Sequence, residues 1–106
     1  MSESETRLGR AIINAINATR LAYVWRNQSG KVQVRGAWMT LAPVGSPDIV
    51  GHMRDGTGRF VGIDVKLTDG KVSPEQIEWK KRMAEDGCVC GIATSVFEAI
   101  EIVRGY

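Results

Sequence analysis

The sequence predicts an α/β fold: a central mixed sheet flanked by helices, with elements in the order α-β-β-β-β-α-β-α. Three observations carry that reading. Apolar residues recur at helical spacing near the N-terminus and again in the last third of the chain. Short runs rich in β-forming residues lie between them. Glycine and proline cluster at the junctions, as in "APVGSP" and "RDGTG". A chain of 106 residues is long enough for one core and too short for two, so residues 1–106 are read as one domain.

Each element has a local cause. Leu8, Ala11, Ile12, Ala15 and Ile16 fall on one face of a helix over residues 4–18. "LAYVWRN" reads as a strand, and so does the stretch 32–41 after the "QSGK" turn. Pro43, Gly45 and Pro47 then break the chain. Residues 48–53 and 59–67 form the arms of a hairpin around "RDGTG", and "TDGKV" is a loop. Ser73 supplies an N-cap, Pro74 the first helical position and Gln76 the capping-box partner of a helix reaching Asp86. Gly87 stops it. "CVCGIAT" is a short buried strand, and Ser95 with Glu98 opens a last helix through Val103.

Composition excludes several classes. The hydrophobic share of 43% and charged share of 25% are those of an ordinary globular protein. No apolar run approaches the ~20 residues that span a bilayer, so no membrane association is expected. The polar start "MSESETRLGR" has no apolar signal region, which leads to an expected cytoplasmic location. Cys88 and Cys90 are too few for a zinc site and badly placed to bond each other, so they read as two buried thiols in a reducing compartment. Charge is uneven. Residues 1–47 carry a net +4, and residues 48–106 a net −2. A basic flank beside an acidic site suits a polyanion bound next to a metal, although solvated surface explains the same asymmetry.

The hairpin carries the chemistry. With the turn centred on Gly56, Met53 pairs with Arg59 and Asp48 comes opposite Asp64. Directly opposed residues share a face with Cβ atoms about 5 Å apart, where like charges repel. Val61, Ile63 and Val65 point to the core. Phe60, Gly62, Asp64 and Lys66 point the other way, towards Asp48. Two carboxylates so close need a cation, and all-oxygen ligation with room for water suits Mg²⁺ or Mn²⁺. A lysine beside a metal-bound water can orient it, take its proton or stabilise the transition state. The competing reading is a solvated hairpin edge with Lys66 pairing one aspartate. Gln76 and Lys80 lie on the apolar arc formed by Trp79, Met83, Ala84 and Ile77. The capping box explains the first only in part, and the second either extends outward or reaches a phosphate. Glu5 shares a stripe with Leu8 and Ile12, and it also has capping-box spacing from Ser2.

"GSPDIVG", "FVGIDVK" and "KVSPEQIEW" resemble, in order, three signature segments of the VRR-NUC (virus-type replication-repair nuclease) domain, within the PD-(D/E)xK nuclease superfamily. "ETRLGRAI" with "YVWRNQSG", and "EDGCVCGIATSVFEAIEIV", are similar to that family's opening and closing elements, so the resemblance covers nearly the whole chain. It implies a restriction-endonuclease-like core and metal-dependent hydrolysis of DNA phosphodiesters. By position, Asp48 matches the motif aspartate, Asp64 the acid of (D/E)xK, Lys66 its lysine, Gln76 the helix glutamine and Glu5 the first-helix acid. Val65 would add a backbone carbonyl to the metal shell. Two departures stand out: Asp64 where the family more often has glutamate, and Lys80 where an apolar residue is expected.

The resemblance further implies a phage or bacterial protein of the Holliday-junction-resolvase kind, acting on branched DNA as a homodimer with Mg²⁺ or Mn²⁺. Arg26, within "WRNQSG", is the motif-supported candidate for guiding DNA; Arg7, Arg10, Lys31 and Arg35 are further candidates. His52 is read as a hydrogen-bonded structural residue, and Trp25, Trp38 and Trp79 as core. Two rival functions stand beside this one: a flap- or end-directed monomeric nuclease, and a nucleic-acid-binding module without chemistry.

Overall fold

In the computed structural model, which describes residues 2–28, 31–43 and 45–105, the chain begins with a long helix, α1 (Glu3–Thr19). Five strands follow: β1 (Ala22–Arg26), β2 (Lys31–Val34), β3 (Ala37–Thr40), β4 (Ile49–Met53) and β5 (Phe60–Val65). Helix α2 (Pro74–Glu85), strand β6 (Val89–Ala93) and helix α3 (Val96–Arg104) complete it. No helix is long and apolar enough to cross a membrane among the described residues.

The elements come in the order read from sequence, with one difference. The stretch read as a single strand over residues 32–41 doubles back on itself as the β2–β3 hairpin, pairing Val34 with Ala37. Arg35 and Gly36 make the turn with φ of 52° and 81°, the left-handed pair that matches the twist of a two-residue hairpin. Arginine is an unusual occupant of such a turn, which is why the sequence pattern hides it. The "QSGK" turn falls partly on residues 29–30, outside the described residues.

The main sheet has the order β1-β4-β5-β6. β4 runs antiparallel to both β1 and β5, and β5 runs parallel to β6 across the α2 crossover. One face carries the core. Val24, Ile49, Val61, Ile63, Val65, Val89 and Ala93 pack against Ile12 and Ile16 of α1 and Ala99 and Val103 of α3. Burying a side chain of this size is worth roughly 1.5–3 kcal/mol. Helix α2 crosses the opposite face. There Gly62 leaves the space that Met83 and Pro47 fill: a Cβ at this position would lie 2.6 Å from Met83 Cε and 2.7 Å from Pro47 Cγ.

The hairpin register is as the turn chemistry predicts. His52 pairs with Phe60 and Ile49 with Ile63, and the Met53 amide donates to the Arg59 carbonyl at 2.8 Å. Asp55 holds the turn. Its carboxylate accepts from the Thr57 amide at 3.0 Å and from the Arg59 guanidinium at 3.0 Å.

Candidate active site

Carried one step beyond Ile49–Ile63, that register sets Asp48 opposite Asp64, on the face α2 crosses. The two carboxylates are braced differently. Asp48 Oδ2 accepts the Val65 amide at 2.9 Å, while the Asp48 amide donates to Asp64 Oδ1 at 3.3 Å. Asp48 is half-buried, and its Oδ1 has no hydrogen-bond partner among the described residues. No enclosed side-chain oxygen there lacks a partner, so this oxygen is open to solvent.

Asp64 is completely buried. Besides the Asp48 amide, its Oδ1 accepts Gln76 Nε2 at 3.2 Å, and its Oδ2 receives the Lys80 ammonium as a hydrogen-bonded ion pair. Charge burial demands such pairing, because an isolated ionised carboxylate in the interior is prohibitively costly.

Both partners come from α2, one helical turn apart, and the start of that helix explains their aim. Ser73 and Gln76 form the capping box: the Gln76 amide donates to Ser73 Oγ at 3.2 Å, and the Ser73 amide to Gln76 Oε1 at 3.0 Å. With its oxygen held by the cap, the Gln76 side chain turns its NH₂ to Asp64. One residue thus starts the helix and ties it to the sheet. Lys80 Nζ also donates to the Gln76 carbonyl at 3.2 Å. Burial pushes the Lys80 pKa down, and the Cys90 thiol and Asp48 partly restore it.

Lys66 follows β5, its amide bonded to the Ala93 carbonyl at 3.0 Å. Its half-buried side chain makes no hydrogen bond or ion pair with a described residue. Strand alternation puts it on the face of Asp64. The lysine of the motif is therefore uncommitted, while a different lysine pairs the buried acid. Glu5 stands apart: its carboxylate accepts the Ser2 amide at 3.3 Å, closing the α1 capping box. Among the described residues no three acids, histidines or cysteines gather as a metal-binding group, so Glu5 is not brought to the aspartate pair.

Two further residues belong to this arrangement, Lys80, read from sequence as extending outward or reaching a phosphate, and Asn27. Lys80 was visible as a lysine on an apolar arc, but its partner was not. Asn27 had no signal beyond its place in "WRNQSG". Its amide donates to the Asp48 carbonyl at 2.8 Å, and its side chain to the Pro47 carbonyl at 2.9 Å and Ser46 Oγ at 3.1 Å, which fixes the segment entering Asp48.

The remaining candidates are dispersed. Arg7, paired with Glu3, and Arg10 are exposed on α1, across the sheet from the aspartates. Arg26 is exposed at the end of β1, and Arg35 is exposed in the β2–β3 turn; the Lys31 side chain lies outside the described residues. His52 is exposed and donates from Nδ1 to the Met53 carbonyl at 3.0 Å. The tryptophans depart from expectation. None is in the core: Trp25 and Trp38 are 48% and 68% exposed, and Trp79 is half-buried. Trp25 sits on an edge strand beyond the cover of α2, and Trp38 on the separate β2–β3 ribbon. Cys88 and Cys90 are free thiols, half-buried rather than enclosed, and burial raises the pKa of both.

Solved structures share this architecture. A solved structure described as "VRR_NUC domain" superposes with a TM-score of 0.68 at 19% sequence identity, covering 99% of each chain. The chain has the VRR-NUC fold. No protein-family model matches the sequence, and no curated protein does. In this VRR-NUC fold the aspartates occupy the paired arms of the central hairpin, with Gln76 and Lys80 above them on the crossover helix.

Proposed function

We propose that this protein is a metal-dependent DNA endonuclease, acting on branched DNA as a homodimer. The observation that carries this reading is the juxtaposition of Asp48 and Asp64 on one sheet face with an uncommitted lysine, Lys66, two residues beyond. The donor chemistry suits Mg²⁺ or Mn²⁺. Asp48 offers an open carboxylate oxygen, Asp64 would join it once the Lys80 ammonium moves aside, and hard oxygen ligands with water in the remaining positions are what these ions accept. Asp48, Asp64 and the Val65 carbonyl would hold the ion. Glu5 is the further candidate, and reaching the site would require its cap to open.

The bound ion would supply Lewis-acid stabilisation of the scissile phosphate and acidify a water. The chain's own residues do the rest. Lys66 orients the attacking water and takes its proton or stabilises the developing charge. Gln76 Nε2, fixed by the capping box, keeps Asp64 in place. Arg26 at the end of β1, with Lys31 and Arg35 of the β2–β3 ribbon, attracts the phosphate backbone without reading sequence, while Arg7 and Arg10, across the sheet, would add only long-range attraction.

A panel of four-way junction, flap and linear duplex substrates with Mg²⁺ tests the reading. Junction cleavage that is lost with EDTA and in Asp48→Asn is the expected result. Undiminished cutting by Asp48→Asn would remove this site from consideration, and preferred cutting of flaps or ends by a protein that light scattering finds monomeric would select the other nuclease reading.

One observation favours a second function. Lys80 supplies the counter-charge of Asp64 from within the chain, so the buried acid needs no metal to be stable. A DNA-binding module without chemistry is compatible with that pair; such a protein binds junctions equally in EDTA and Mg²⁺ and cuts none.

A further inference from the structure

The aspartate face of the sheet is covered unevenly. Its side chains form rows across the strands: Trp25, Val50, Gly62 and Cys90 in one, and Tyr23, His52 and Phe60 in the next. Asn27, Asp48 and Asp64 continue the register on the other side of the Trp25 row. Helix α2 lies over the β5–β6 half, through Met83 at Gly62 and Lys80 beside Cys90. Val50 is buried, and beyond it the outer part of the β1–β4 half is open. Tyr23 is 52% exposed and Phe60 41%, and His52 is exposed between them.

Three of these rings lie against one another. Tyr23 and Trp25 pack edge to face, with centroids 5.6 Å apart and planes at 87°, and Tyr23 lies 6.1 Å from His52. They fix one another's orientation without being covered.

We infer that Tyr23, Trp25, His52 and Phe60 form a stacking platform for unpaired bases of a nucleic acid whose backbone runs to Asp48 and Asp64. The inference rests on the nuclease reading for the identity of its ligand. Three features point to a nucleotide strand rather than a second copy of the chain. The first is distance. Trp25 is one strand and one pleat repeat from Asp48, roughly 8 Å by ordinary sheet spacings, about the reach of a single extended nucleotide. The second is composition: Asn27, His52 and Asp48 interrupt the apolar surface, which suits a base with polar edges and does not suit a self-complementary apolar interface. The third is charge. Exposed Arg54 follows β4 in the alternation of Val50 and His52, at the end of the platform away from the aspartates, and places a cation where a phosphate backbone would leave; Arg26, whose register partner is the core residue Ile49, starts from the other face. Aromatic platforms flanked by basic groups are the general means of holding single strands.

The test measures binding of fluorescein-labelled dT12 and of a blunt duplex of equal length to the full chain in EDTA. Trp25→Ala and Tyr23→Ala should each weaken dT12 binding about tenfold, the scale of one lost base stack. Trp25→Phe should keep it within about threefold, and duplex affinity should change less than twofold. Because the rings are half-exposed, the variants should melt like the parent protein. Unchanged dT12 affinity in both alanine variants overturns the platform, as does an equal loss for duplex. So does a switch from dimer to monomer by light scattering with dT12 affinity retained, which would make the face a contact between copies. Cleavage plays no part in EDTA. A protein that cuts DNA but ignores Trp25→Ala refutes only the platform, and one that never cuts but loses dT12 with Trp25 keeps it.

Discussion

Lys80 and Asp64 form an ion pair in which the carboxylate is fully buried and the lysine side chain only 13% exposed. Both Asp64 oxygens are engaged, so a divalent ion reaches this acid by displacing the ammonium. Lys80→Met removes the competitor and also leaves a buried charge without a partner. Breaking such a pair from one side costs about 3–5 kcal/mol. The variant should therefore melt well below the parent in EDTA and gain more from Mn²⁺ than the parent does, since binding to the folded state alone raises stability. Thermal melts with and without Mn²⁺ read both effects. An equal Mn²⁺ shift in the two proteins would mean that Lys80 and the ion do not share Asp64.

The two aspartates are not equivalent targets. Asp64→Asn leaves Lys80 buried opposite a neutral amide and should cost folding stability as well as activity. Asp48→Asn keeps an oxygen to accept the Val65 amide and should change stability by no more than about 1 kcal/mol, the net worth of an ordinary hydrogen bond. Lys66→Met touches no ion pair or hydrogen bond and should melt within about 0.5 kcal/mol of the parent, as uncommitted sites do. Its cleavage rate should fall about 10²–10⁴-fold, the usual contribution of a proton-transferring group. Single-turnover cleavage with matched melts separates these cases. A Lys66→Met enzyme within threefold of the parent would transfer that role elsewhere.

The hairpin was legible because its turn residues leave one register. Asp55, Gly56 and Gly58 specify where the chain reverses, and counting outward brings Asp48 to Asp64. The capping residues of α1 and α2 were legible for the same reason, being short-range chemistry. What depends on coverage was not. Trp25 has the composition of a core residue, but nothing in a strand's sequence says how far a helix extends over it. Lys80 was conspicuous on an apolar arc, yet its partner lies 16 residues away across a helix–sheet interface whose spacing Gly62 sets. Arg35 hid a turn because non-glycine residues rarely adopt positive φ.

Asp55 links turn stability to pH. Hydrogen bonds from the Thr57 side chain and backbone, then Arg59, lower its pKa from 3.8 to about 2. A carboxyl whose folded pKa is depressed contributes stability that is complete above its unfolded pKa and disappears as pH falls through the folded one. The contribution should thus be present at pH 5 and decline between about pH 4 and pH 2. NMR titration of the Asp55 carboxyl should place its midpoint near the lowered value. In Asp55→Asn the acid-side melting curve should lose this component, and the two proteins should converge near pH 2. A normal titration midpoint would show that the turn does not hold the carboxylate.

Gly62 connects packing to chemistry. A methyl group at this position would meet Met83 Cε at 2.6 Å, a flexible end that can move, and Pro47 Cγ at 2.7 Å, a ring that cannot rotate away. Pro47 leads directly into Asp48, so Gly62→Ala shifts one wall of the site, while the same methyl lifts α2, which carries Gln76 and Lys80. Overpacking of this kind typically costs about 1–3 kcal/mol, leaving a folded protein whose Asp64 has lost part of its support. Gly62→Ala should consequently lose Mn²⁺-induced stabilisation in greater proportion than it loses stability in EDTA. Gly91→Ala supplies the control: its added methyl would meet Ile102 Cδ1 at 2.7 Å on the core face, so it should lower the melt and leave the Mn²⁺ shift intact. Equal loss of metal response in both variants would mean that the site follows global stability and not the seating of α2 over Gly62.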